Sequence, residues 1–190
     1  MTFDRVLALD IAGTPYEWIS AQEAVTLYAR GKVAWDLGTA ERIFHGGMNR
    51  AGQQSSILIR PILAMAGSDA MVRHMASEIA LTDRGNALLF ARDRNTCGYC
   101  GQVFPRSKLT RDHIVPRSRG GANTWMNCIT ACVECNQAKA DRRVEDFRPL
   151  VMLPYVPNRF EHFILSGRNI LADQHEYLAA KLPAHSRLRH

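Results

Sequence analysis

The sequence predicts an α+β protein in three parts. These are a small mixed α/β unit over residues 1–83, a basic cysteine-bearing module over 84–148, and a linker with a helix over 149–190. Three observations carry that prediction. Four of the five cysteines form two CxxC pairs, Cys97 with Cys100 and Cys132 with Cys135. The whole charge excess of +6 lies in residues 84–148, where 12 Lys and Arg face 6 Asp and Glu, so the rest of the chain is neutral. Between the two cysteine pairs the pattern reads strand, loop, strand, and the second pair opens a helix.

With 46% hydrophobic residues in 190, the chain can bury one good core, or a small core plus a module held by metal. In the first part, Val6 to Asp10 reads as a strand and Gly13-Thr14-Pro15 as a turn. Ser20 and Glu23 have capping-box spacing, so a helix starts there and stops at Gly31. Val33 to Leu37 is a second strand, Gly46-Gly47 a loop, and Ile57 to Ile59 a strand halted by Pro61. MVRHMASEIA is assigned to a helix. Trp18, Trp35, Tyr16 and Tyr28 are assigned to the core, base stacking being the alternative.

In the module, RGNALLFARD reads as a helix leading into the first cysteine pair. Leu109 to Val115 and Cys128 to Ala131 are strands, and Val133 to about Arg142 is a helix. A proline-punctuated linker, RPLVMLPYVPNRF, follows. One helix is expected from about Phe160 to Lys181, ended by Pro183, with HSRLRH as a frayed tail. No run of about 18 apolar residues occurs, which argues against a membrane span. The start MTFDRVLALD has no secretory-signal pattern, so the expected location is cytoplasmic.

That location disfavours a disulfide framework. Cys97, Cys100, Cys132 and Cys135 together suit a tetrahedral structural Zn²⁺, which leaves no coordination position open for water. Cys128, in an apolar run, is a small core residue. A basic segment in an otherwise neutral chain points to a polyanionic partner.

The stretch LTRDHIVPRSRGGANTWMN, held between the cysteine pairs, has the parts that phosphodiester hydrolysis needs. His113 can take a proton from water at neutral pH. Asp112 offers a carboxylate and Asn136 an amide oxygen, ligands suited to a hard cation such as Mg²⁺ or Mn²⁺. Asp112 and His113 would face apart in a regular strand, so a shared site needs the strand to end there. Asn127 is placed to hold the backbone of the His113 loop. Asn136, Lys139 and Arg143 fall on one helix face. Arg117, Arg119, Lys139, Arg142 and Arg143 are the candidate phosphate contacts, with Arg106, Lys108 and Arg111 behind them.

DHIVPRSRGGANTWMN followed by CVECNQAKADR resembles the HNH endonucleases. The resemblance covers roughly residues 97–143. It implies a ββα-metal module braced by a four-cysteine zinc site. His113 would be the general base, Asp112 and Asn136 the ligands of the catalytic cation, and Asn127 the residue that orients the histidine loop. Lys139 and Arg142 match the basic residues usual after the third position. Asparagine at position 136, where the family also uses histidine, leaves the metal preference open. The N-terminal stretch VLALDIAGTPYEWISAQEAVTLYARGKV is similar to the lead segment of some stand-alone bacterial members.

The expected activity is metal-dependent hydrolysis of DNA, leaving 5′-phosphate and 3′-hydroxyl ends. A zinc module that only binds nucleic acid and a nuclease acting on RNA are the alternatives. A third reading has an N-terminal interaction domain with a decayed nuclease. The C-terminal helix can serve a homodimer, which would pair two single-strand cuts.

Overall fold

The computed structural model describes residues 3–67, 80–82 and 86–189. The chain forms two compact units, residues 1–77 with 159–190, and residues 78–158. The boundaries expected at 83 and 148 therefore shift, and the C-terminal segment belongs to the N-terminal unit instead of standing apart. The helix expected over MVRHMASEIA falls almost wholly outside the described residues.

The first unit is built on a four-stranded sheet of order β2-β1-β6-β3. Its strands are β1 (Arg5–Leu9), β2 (Pro15–Ser20), β3 (Val33–Leu37) and β6 (Ile62–Met65). β1 runs parallel to β6, and the other pairings are antiparallel. Val6, Leu7, Ala8 and Leu9 are all fully buried, because both faces of the sheet are covered. Val6 and Ala8 pack with Ala21 and Ala24 of α1 (Ala21–Ala29), while Leu7 and Leu9 pack with Phe163 and Leu178. α1 starts at the expected capping box. The Ser20 side chain accepts from the Glu23 amide at 3.2 Å, and Glu23 Oε2 accepts from the Ser20 amide at 2.7 Å.

The second face explains where the C-terminal segment goes. Its single expected helix is two, α4 (Arg159–Ser166) and α5 (Ala172–Ala180), interrupted around Gly167 and by Asn169 at φ 53°. Buried Gln174 of α5 donates to the carbonyls of Arg5 and Pro61 at 3.0 and 2.8 Å, so α5 is tied to the root of β1. Ser186 is buried and bonds Glu161, so the expected fray does not begin at residue 185. Trp18 and Trp35 pack on this same face, as core residues.

A separate antiparallel ribbon joins β4 (Arg42–Met48) to β5 (Gln54–Ile59). Gly46-Gly47, expected as a loop, lies inside β4 at a register shift, and the turn comes later, at Asn49–Gln53.

The second unit is a sandwich around the hairpin of β7 (Leu109–His113) and β8 (Cys128–Cys132), paired from Leu109↔Cys132 to His113↔Cys128. α2 (Asn86–Arg92) covers one face, through Leu89, Phe90, Leu109 and Cys128. The cysteine knuckles and α3 (Val133–Lys139) cover the other, through Tyr99, Ile129 and Ala131. Beneath α2 lies a buried ion pair. Arg92 Nε and Nη2 reach the two Asp93 oxygens at 2.8 and 2.9 Å. The same guanidinium donates to the carbonyls of Trp125, Cys128 and Tyr155, and Asp93 also accepts from the Thr130 amide. It thereby stitches α2, β8 and residues 149–158 together. Arg92→Ala would strand a buried carboxylate and three carbonyls. The expected loss is about 3–5 kcal/mol, read from urea unfolding.

Candidate active site

β7 decides which side chains meet. Residues 109, 111 and 113 point to the α2 side, and 110 and 112 to the α3 side, because regular pairing persists through His113↔Cys128. The strand ends after His113 rather than at Val115, so Asp112 and His113 lie on opposite faces of its last two positions. The turn that would have brought them together comes one residue too late.

On the α2 side, His113 borders an open cleft of about 440 Å³ with Asn86, Arg111, Arg117 and Asn123. His113 Nε2 and Arg111 Nε are buried, with no hydrogen-bond partner among the described residues. Arg111 is held in place by donating to Asn123 Oδ1 at 2.5 Å and to the Thr82 carbonyl at 2.9 Å. Asn123 is in turn anchored through its amide to the Leu81 carbonyl at 3.0 Å, and it hydrogen-bonds the imidazole. Burial pushes the His113 pKa below its ordinary value. The Asn123 bond raises it again, the Arg111 charge lowers it, Asp112 raises it, and Arg117 lowers it. The net result is an imidazole kept neutral beside two guanidinium groups. Arg117 is exposed, and it has no ion pair among the described residues.

The loop that follows β7 is tightly determined. Asn127 Oδ1 accepts from the Val115 amide at 2.9 Å, and its Nδ2 donates to the carbonyls of Val115 and Ala122 at 3.1 and 2.8 Å. The Asn127 carbonyl also accepts from the Ile114 amide at 2.8 Å. Gly121 packs so closely here that an added Cβ would lie 1.7 Å from the Val115 carbonyl oxygen. One asparagine thus fixes the backbone just beyond His113 from both sides.

The α3 side holds the other candidates. Asn136 Nδ2 donates to Thr110 Oγ1 at 2.8 Å, and Lys139 Nζ lies 3.1 Å from Asp112 Oδ1 and 2.8 Å from the His113 carbonyl. Residues 136 and 139, one helical turn apart, are therefore in register with 110 and 112 on the strand. The Tyr99 hydroxyl bonds Asp112 Oδ2. Burial and that bond raise the Tyr99 pKa, so it stays protonated and donates. Both Asp112 oxygens are engaged, and its carboxylate does not join the imidazole in one cleft. A carboxylate and an amide oxygen are still a donor set for a hard cation, and the Lys139 ammonium already places positive charge beside Asp112.

The phosphate contacts expected from the sequence divide. Lys139 is fully buried and is corrected to an internal ion-pair partner, since a side chain with no exposed surface cannot meet a backbone phosphate. Arg142 folds back on the end of α3, donating to the carbonyls of Lys139 and Ala138, and stacks 5.1 Å from the Phe147 ring centre. Arg119 donates to the Asp141 carbonyl at 2.9 Å. Arg117, Arg119 and Arg143 are exposed. Arg111 and Asn123 are the residues that sequence reasoning ranked low or passed over. The strand alternation that puts Arg111 beside His113 was the available signal.

The Sγ atoms of Cys97, Cys100, Cys132 and Cys135 lie within 4.8 Å of one another. Four thiolates on one tetrahedral zinc would be about 3.8 Å apart, so the cluster is compatible with structural zinc. Cys132 also caps α3, its sulfur accepting from the Cys135 amide at 3.4 Å. Cys128 stands apart, buried in the α2-side core. Among the described residues no helix is long and apolar enough to cross a membrane.

No curated protein matches this chain. Residues 97–142 match the family model described as HNH endonuclease. The hairpin, the two cysteine knuckles and α3 all fall within that span, so it is this module of the chain that matches the HNH endonuclease domain.

Proposed function

We propose that the chain is a metal-dependent endonuclease that hydrolyses DNA phosphodiester bonds, with His113 as general base. The observation that carries this reading is the His113 cleft. An Nε2 with no hydrogen-bond partner among the described residues, on an imidazole of lowered pKa, is an acceptor that is empty at neutral pH. Arg111 and Arg117 beside it give the cleft the charge that attracts a phosphodiester.

His113 takes the proton of the attacking water, and Asn127 holds the backbone that aims it. Asn123 orients the imidazole and Arg111 together. A divalent cation such as Mg²⁺ or Mn²⁺ would supply charge neutralisation, and Asp112 and Asn136 are the oxygen donors that would hold it; they lie on the α3 side of β7, where Tyr99 and Lys139 engage Asp112. The products are 5′-phosphate and 3′-hydroxyl ends. The four cysteines hold structural zinc and take no part in the chemistry. Arg117, Arg119 and Arg143 meet backbone phosphates, giving affinity without choice of sequence.

The test is purified protein on supercoiled plasmid and on matched RNA, each with Mg²⁺, Mn²⁺ or no divalent ion. The expected result is divalent-dependent nicking of plasmid. Cleavage of RNA alone would transfer the activity to the other polymer. Binding without cleavage of either would leave a zinc-dependent binding module.

A further inference from the structure

We infer that the β4–β5 ribbon is a second DNA contact of this chain, entering the major groove of B-form duplex with Arg50 at its apex. The inference deepens the reading of the chain as a DNA nuclease and rests on it.

The ribbon has a root and a free end. At the root, Phe44, Ile57 and Ile59 pack on the α1-side core. Arg42 is fixed by donating to the Phe3 carbonyl and to Asp4, and it lies over the Phe44 ring. From residue 45 to residue 56 every residue is exposed. A two-stranded ribbon this free has no core of its own to stabilise it. Its turn is instead organised from within. Asn49 Oδ1 accepts from the amides of Ala51 and Gln53, both at 2.9 Å, and Asn49 Nδ2 donates to Gln53 Oε1 at 3.2 Å. Farther down, Gln54 Nε2 and Ser55 Oγ donate to the carbonyls of Gly46 and Gly47. The free end is thus preorganised, and Arg50 is carried at its tip with no hydrogen bond or ion pair among the described residues.

The chemistry selects the occupant. Residues 42–59 contain Arg42, Arg50 and His45, and no Asp or Glu. The free end offers Arg, His, Gln and Ser, with Met48 at 75% exposure. These are donors and a soft apolar contact suited to base edges, without a carboxylate to repel phosphates. The size agrees. Four residues beyond the root extend about 13 Å, against a major groove about 12 Å wide and 8.5 Å deep that admits a two-stranded ribbon. The A-form major groove of duplex RNA is too narrow for it. The sequence alone did not single out this segment, because Gly46-Gly47 reads as a loop that would cut the ribbon short.

The test uses the full chain carrying His113→Ala, so that substrate survives, with fluorescence anisotropy on a DNA duplex and on an RNA duplex of the same sequence. Arg50→Ala is expected to weaken DNA binding roughly tenfold, Arg50→Glu further, and neither to change RNA binding. The thermal midpoint and the sedimentation coefficient of both variants should match the parent, since the exposed Arg50 side chain makes no hydrogen bond or ion pair among the described residues. Equal losses on both duplexes would overturn the groove assignment. Unchanged DNA binding would overturn the contact itself, and a changed sedimentation coefficient with it would assign the ribbon to a second copy of the chain. Cleavage by the chain with His113 intact is measured alongside. Cleavage that ignores Arg50 sinks the ribbon and spares the nuclease, whereas Arg50-dependent binding without any cleavage does the reverse.

Discussion

Replacing His113 by alanine is expected to slow DNA cleavage by about 10²–10⁴-fold while leaving DNA binding intact. The size of the effect follows from what the imidazole does. It is a proton acceptor of lowered pKa, with an Nε2 that has no hydrogen-bond partner among the described residues. Among the described residues, no carboxylate lines the same cleft to take over the role. Binding survives because the nearby charge belongs to Arg111 and Arg117, and Arg111 keeps its bonds to Asn123 and Thr82 when the imidazole goes. Single-turnover cleavage of a labelled duplex, paired with anisotropy on the same duplex, checks both halves. Equal losses in both would make His113 a binding residue.

Cys132→Ser is expected to unfold the second unit. Cys97, Cys132 and Cys135 are buried among Tyr99, Ile129 and Ala131, so the cysteines are a large part of the core on the α3 side of the hairpin. Binding of structural zinc is worth about 10–16 kcal/mol in small zinc domains, far beyond what so small a core supplies alone. The consequence reaches the site through Tyr99. It stands between the first two cysteines and bonds Asp112, so loss of the knuckle releases that carboxylate. The expected wild-type content is one zinc per chain, measured by atomic emission. The variant should lose that zinc together with the circular-dichroism signal of the unit. A zinc-free variant that stays folded and active would contradict the frame.

What could be read from the sequence divides along local lines. The capping box at Ser20, the strand at Val33–Leu37 and the start of β7 at Leu109 depend on nearest neighbours and are where the residues put them, whereas β7 ends at His113, short of Val115. The cysteine cluster follows from spacing alone. The misplacements come from longer-range packing. β6 escaped notice because its four residues follow Pro61 and gain their strand only by pairing with β1 and β3. The C-terminal segment read as a separate linker and helix because nothing local shows that β1 is buried on both faces and needs a second cover. Lys139 looked like a surface cation because its helix is short and basic. The strand register that sets Asp112 opposite it is a tertiary fact. Arg111 is different: its place beside His113 follows from strand alternation, which the sequence does carry.

The most direct test of the central claim, that His113 is a neutral acceptor in a phosphate-binding cleft, is the single-turnover rate of cleavage against pH. A base must be unprotonated to act. With its pKa held below the ordinary 6.5, the rate should be level near neutrality. It should fall only as acidification passes below that value, and His113→Ala should lack this limb. An acid limb centred at or above 6.5, or the same limb in His113→Ala, would contradict the account.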